Sequence, residues 1–225
     1  MNRKHSILLL LCVLLAGCWD QHMMNNAVLV QVLSFDLLSD EEMQLAVSIP
    51  IIEEPSGGPQ GLVKSETFSE KGHTPRDIRR KIDNEIAGIL DTSKNKLILF
   101  GEKMASTDIS PSLDVFWRDP RNSLGATIGV VEEKAVDLLN IKPNHETNVS
   151  EYIHEALTSA QEQSIIANET IQTLASEMLD PGEDIVLPHL KMNDKKSAVV
   201  VGLALMNERK YAGNLSPQDS TLKVY

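Results

Sequence analysis

Residues 74–90 read TPRDIRRKIDNEIAGIL, and this stretch decides the fold class. Thr74 is an effective N-cap, Pro75 suits the first helical position, and Asp77 favours the positive end of the helix dipole. Ile78, Ile82, Ile86 and Ile89 recur at four- and three-residue spacing, so one apolar stripe runs along a predicted helix. What precedes it has a different period. Residues 27–36 (AVLVQVLSFD) and 43–52 (MQLAVSIPII) read as strands with apolar positions on both faces. Residues 62–70 (LVKSETFSE) alternate as a half-exposed strand. Residues 53–61 (EEPSGGPQG) form a loop that Gly57, Gly58 and Pro59 keep from being helical. Three strands with polar joins followed by a helix predict an antiparallel meander with a helix laid on it.

Downstream the two periods mix. Residues 96–105 and 125–131 read as buried strands, and 108–117 and 132–140 as short helices. Asn148 caps a helix over 149–163, with Glu151 three residues on as its capping-box-like partner. Asn168 caps another over 169–180, which Pro181-Gly182 ends. Residues 184–192, 197–206 and 210–216 return to strands, with the hairpin turn at 207–210. The expected class is α+β: a mixed, mostly antiparallel sheet with helices packed on one face. Residues 27–192 make an N-terminal α+β domain, and 193–225 a β-hairpin that would open a second, truncated domain.

The N-terminus fixes the compartment. Arg3 and Lys4 precede ten uninterrupted apolar residues, Ile7 to Ala16. A bilayer span needs about 20 such residues. The charged start and short apolar run instead fit an export signal over residues 1–17. Leu14-Leu15-Ala16-Gly17-Cys18 fits a bacterial lipobox, with small residues that admit a peptidase to the backbone and a thiol that takes a diacylglyceryl group. Cleavage between Gly17 and Cys18 would leave a lipidated cysteine as the mature N-terminus, with 18–26 as tether. A plain secretory signal with a chance cysteine, or a core helix, matches fewer of these positions. Cys12 would depart with the signal, so the mature chain would have neither free thiol nor disulfide and would need an ordinary core. Two acyl chains give lasting attachment, which puts the protein on the outer face of the cell membrane.

Loss of Arg3 and Lys4 with the signal takes the formal charge from −11 to −13. So acidic a body is repelled by nucleic acid and by anionic lipid, which leaves anchoring to the acyl chains. A hydrophobic content of 42% belongs to a folded domain.

A search for chemistry finds little. His145-Glu146 and His154-Glu155 lack the two-histidine, four-apart spacing of a metalloprotease, and adjacent helical residues diverge by some 100°. His22, His73 and His189 are isolated and read as surface or turn residues. Paired glutamates such as Glu41-Glu42, Glu53-Glu54 and Glu132-Glu133 sit at element ends, where solvation explains them. Neither a serine-nucleophile elbow nor a two-cysteine zinc motif occurs. The expectation is a non-enzymatic protein with no metal and no cofactor beyond the lipid on Cys18. In VFWRDPR (115–121), Phe116 and Trp117 read as core at a helix end, with Arg118 and Asp119 paired across the turn set by Pro120. An exposed partner contact is the second reading of this segment.

Together these residues resemble a known family. A lipobox running into Cys18-Trp19-Asp20 is similar to the start of the Ger(x)C lipoproteins, the C subunits of nutrient germinant receptors in endospore formers. The resemblance continues through Phe35-Asp36 and through Arg118-Asp119-Pro120 ahead of ATIGVV. It ends in Gly202-Leu203-Ala204-Leu205-Met206 and Gly213-Asn214-Leu215. Family members are longer and carry further C-terminal domains, so the chain resembles their N-terminal portion. The resemblance implies a non-enzymatic subunit on the outer surface of the inner spore membrane, beside integral-membrane A- and B-type subunits, that supports the germination response to nutrients. A solute-binding lipoprotein of an importer is the alternative. It would need two α/β lobes, which the strand meander argues against.

Overall fold

The computed structural model describes residues 27–53, 62–86, 88–142, 148–180, 182 and 184–220. Its strands are β1 (Ala27–Leu29), β2 (Val32–Leu37), β3 (Met43–Glu53), β4 (Leu62–Gly72), β5 (Ile89–Asp91), β6 (Leu97–Gly101), β7 (Thr127–Val131), β8 (Val186–Met192), β9 (Ala198–Asn207) and β10 (Lys210–Leu215). Its helices are α1 (Pro75–Glu85), α2 (Glu102–Ala105), α3 (Ser110–Arg118), α4 (Ala135–Leu139), α5 (Val149–Glu162), α6 (Ile171–Glu177) and α7 (Pro217–Ser220). Eight strands form one sheet in the order β10-β9-β8-β7-β6-β2-β3-β4, while β1 and β5 pair in parallel apart from it. The class is α+β, and the sheet is mixed and mostly antiparallel, with the meander β2-β3-β4 at one edge.

The centre of the sheet is parallel: β2 with β6, β6 with β7, and β7 with β8. Every residue of β6 (LILFG) and β7 (TIGVV) is buried. Strands apolar on both faces require a cover on each. Helices therefore pack on both faces, not on one. On the first face, Leu33, Phe35, Ile98, Phe100 and Ile128 meet Ile78 and Ile82 of α1, Leu113 and Phe116 of α3, and Ile171 and Leu174 of α6. On the second, Val32, Ala46, Leu97 and Leu99 meet Leu138 and Leu139 of α4 and Ile153 and Leu157 of α5. Phe35 and Phe100, register partners on β2 and β6, stack with ring centroids 5.3 Å apart.

Local chemistry moves several boundaries. Residues 27–36 are two strands in two sheets, and the chain crosses at Val30, whose N–H donates to the Asp91 carbonyl, and Gln31, whose N–H donates to that of Ser48. Helix α1 begins as its caps require, with Thr74 Oγ1 accepting from the Asp77 N–H, but it stops at Glu85. Ile86 is extended and still buried, whereas Ile89 belongs to β5 and is 64% exposed, so the stripe consists of Ile78, Ile82 and Ile86. Residues 96–105 divide at Gly101 into β6 and α2. Asn148 caps α5, but Glu151 turns away from a capping box to meet Lys96 Nζ at 2.6 Å. The cap of α6 is Thr170, not Asn168; Thr170 and Thr173 complete a capping box. Strand β9 pairs with β8 along Val186–Met192, so the final hairpin extends the same sheet through position 192. Its turn at 207–210 is tight, with Glu208 at φ 57°.

Candidate functional site

Gly17, Cys18, Trp19 and Asp20 lie outside the described residues, as do Cys12, His22, His145 and Glu146 and most of the loop after β3. The first described residue is Ala27. Ala27 pairs with Ile89, and Leu29 with Asp91. Asp91 turns the chain onward by accepting from the Ser93 N–H; that bond holds its carboxyl below the ordinary range. Next comes Thr92, whose Oγ1 donates to Asn122 Oδ1. The turn that contains Arg118-Asp119-Pro120 is thereby fastened to the strand that pairs with β1.

Within that turn the predicted Arg118–Asp119 pair does not form. Arg118 Nε reaches back one helical turn to Asp114 Oδ2 at 2.6 Å, and Asp119 Oδ2 takes Arg121 Nη2 at 2.7 Å. Pro120 leaves Asp119 extended and directs its carboxylate forward, where it also accepts the Arg121 N–H. The Arg121 guanidinium brings the Asp119 pKa down to about 2. Phe116 is core as expected, and Trp117 packs against the core with Nε1 donating to the Ile171 carbonyl.

A cleft of about 1040 Å³ opens beside this turn, between α1 and α3. Leu33, Phe35, Leu45 and Val47, inward positions of β2 and β3, form its floor, and Leu90 and Thr92 lie at one side. Its rim is charged. Arg80 meets Asp77, Arg79 lies 4.0 Å from Asp83, and Arg118 holds Asp114. Arg76 is exposed and makes no ion pair among the described residues. Ser112 is 1% exposed, lines the cleft, and its Oγ has no hydrogen-bond partner.

The opposite face carries a buried carboxylate. Asp36 lies next to the last residue of β2 and is 2% exposed. Its Oδ1 and Oδ2 accept from the backbone N–H groups of Ala135 and Val136, at 2.7 and 2.9 Å, and so cap α4. Burial raises its pKa, and the two N–H bonds oppose that rise. Nothing in the period-2 reading marked Asp36 as a cap, because its partner lies about a hundred residues onward.

His189 is also buried, not a surface or turn residue. It sits on β8 at 1% exposure, with Nε2 unpartnered, Nδ1 3.4 Å from Asn214 Nδ2, and the Tyr211 ring 5.8 Å away. Desolvation lowers its pKa, and Glu102 and Glu132 oppose that shift. The signal was present: His189 shares strand parity with the buried Leu187. His154 is half-buried on α5 and Glu155 is exposed. His73 is exposed and donates from Nδ1 to the Glu41 carbonyl. Among the described residues no three His, Cys, Asp or Glu side chains converge to hold a metal, and no helix is long and apolar enough to cross a membrane.

The sequence matches the family described as spore germination protein N-terminal domain over residues 20–192. The chain belongs to the Ger(x)C spore germination family. It is 28% identical over 194 residues to the putative spore germination protein YfkR of Bacillus subtilis, covering 84% of this chain and 49% of the relative. It is 22% identical over 219 residues to spore germination protein GerQC of Bacillus cereus, or 96% and 59% of the two chains. Spore germination protein KC of Bacillus subtilis is 22% identical over 205 residues, or 86% and 50%. The chain thus spans about half the length of these Ger(x)C relatives. No solved structure matches it. Asp36 and the 118–121 turn both fall inside the matched domain, one fixing α4 and the other fastened beside the strand that pairs with β1.

Proposed function

We propose that the chain is a lipid-anchored, non-enzymatic subunit of a nutrient germinant receptor. It would sit on the outer face of the inner spore membrane beside integral-membrane A- and B-type subunits. The observation that carries this reading is the family match over residues 20–192, directly preceded by the lipobox Leu14–Cys18. Nine residues, 18–26, separate the lipidated position from β1, and an extended chain covers about 30 Å in that distance. A diacylglyceryl group on Cys18 would therefore hold the body close to the bilayer by the end that carries β1, β5 and the 118–121 turn. Its formal charge of −13 without the signal would keep the remaining surface off anionic headgroups. The importer reading wants two lobes, and the described residues build one eight-stranded sheet with a two-stranded pair beside it.

Complementation tests the proposal. The chain and its Cys18→Ala variant would be expressed in a spore former lacking the endogenous gene, and nutrient-triggered germination and membrane partitioning measured. The expected result is membrane recovery and restored germination for the native chain, with both lost in the variant. A variant that stays membrane-bound and supports germination would overturn the anchoring role of Cys18.

A further inference from the structure

We infer that the cleft between α1 and α3 is a binding site for an amphiphilic carboxylate, a ligand with an apolar chain and a single anionic head. The inference is independent of the receptor reading. The floor is purely apolar: Leu33, Phe35, Leu45 and Val47 descend from alternate positions of two paired strands. Leu33, Phe35, Leu45 and Val47 are at most 5% exposed, so the floor is shielded from water and suits an apolar chain rather than a polar body. The volume of about 1040 Å³ lies at the upper end of small-molecule sites.

Charge identifies the head group. The protein is strongly acidic, yet the cleft rim carries four arginines against three aspartates. The aspartates are engaged: Asp77 by Arg80 and Lys81, Asp114 by Arg118, and Asp83 by the Leu90 N–H with Arg79 alongside. Arg76 remains as the cation without an ion pair among the described residues. It sits in the first turn of α1, where the helix dipole adds to its attraction for an anion. Ser112 supplies the second, independent mark. Ser112 is 1% exposed and lines the cleft, and its hydroxyl, buried without a partner, costs free energy unless something completes its hydrogen bond. A carboxylate oxygen accepts from it; an alkane does not.

Radiolabelled octanoate is the probe, with octanol as the uncharged control. Equilibrium dialysis would use the full chain as purified, reconstituted in nanodiscs, with binding to empty discs subtracted. The expected result is saturable binding of one octanoate per chain, weakened roughly tenfold by Arg76→Gln through loss of the charge-assisted bond. Ser112→Ala should weaken it several-fold, and octanol should bind more weakly than octanoate. Partition into the disc is common to all variants and cancels. Arg76 is exposed, so its substitution leaves the fold intact, which circular dichroism checks. Absence of saturable binding above empty discs, equal binding of octanol, or an unchanged affinity in Arg76→Gln would each overturn the inference. None of these bears on Cys18 or on receptor assembly.

Discussion

Asp36 and Ala135, 99 residues apart in sequence, are joined by a hydrogen bond of 2.7 Å from the Ala135 N–H to Asp36 Oδ1. One carboxylate at the end of a central strand thus starts the helix that covers the second face of the sheet. Gly101, at the end of the neighbouring β6, makes room for it: a Cβ there would lie 2.1 Å from the same oxygen. Asp36→Ala strips two buried N–H groups of their acceptor and should cost about 2–4 kcal/mol. Gly101→Ala should destabilise comparably by displacing Asp36. Urea unfolding of each variant checks both, and a loss below about 0.5 kcal/mol for Asp36→Ala would deny it the capping role.

The same carboxylate sets a pH dependence. Desolvation raises its pKa, so the native state holds this proton more tightly than the unfolded chain does. Its contribution is therefore greatest below the ordinary carboxylate pKa of about 3.8 and declines as pH rises through the raised value. Asp36→Asn cannot titrate, and its stability relative to the native chain should improve as pH climbs through that window. A constant difference across the window would show that Asp36 does not titrate abnormally.

His189 acts in the opposite direction at higher pH. Burial lowers its pKa below 6.5, so the unfolded chain takes up the proton first as pH falls. Stability contributed by neutral His189 is full above pH 6.5 and is lost as pH drops toward the lowered value. Replacing it by leucine, which fills similar space without a charge, should shrink the fall in Tm between pH 7.5 and 5.5. An equal fall in both proteins would assign that loss to other groups.

Gly202 closes the last hairpin onto the sheet. Its φ is +126°, and a Cβ would meet the Leu215 carbonyl oxygen at 1.9 Å. Gly202→Ala combines backbone strain of about 1–3 kcal/mol with a backbone clash and should release β10 from β9. Hydrogen exchange would then show loss of protection over 210–215 ahead of the rest of the sheet. Protection unchanged in β10 would contradict this placement.

Asp119→Asn tests how firmly the 118–121 turn depends on its ion pair. Arg121 is exposed and Asp119 only half-buried at the surface, so screening limits the cost to about 1 kcal/mol or less, diminishing in high salt. A larger, salt-independent loss in urea unfolding would mean that the turn is held by more than this pair.

Local chemistry was legible in the sequence to the extent that it was local. Thr74 and Asn148 cap the helices they precede, the β3–β4 meander pairs along its full length, and Glu208 turns the last hairpin. Long-range partners were not legible. Glu151 left its own helix for Lys96, Asp36 found α4, and Ile89 left the stripe of α1 to pair with Ala27. The two-faced burial of β6 and β7 was written in LILFG and TIGVV, and taking it fully into account would have put helices on both sides. His189 reads as a surface or turn residue in the sequence because isolation says nothing of burial in a strand.

The most direct test of the receptor assignment is co-purification from detergent-solubilised spore membranes. The tagged chain and its Cys18→Ala variant would be pulled down and the bound proteins identified. Recovery of both integral-membrane receptor subunits with the native chain, reduced or lost with the variant, is the expected result. A native chain that reaches the membrane but brings down neither subunit would contradict the assignment.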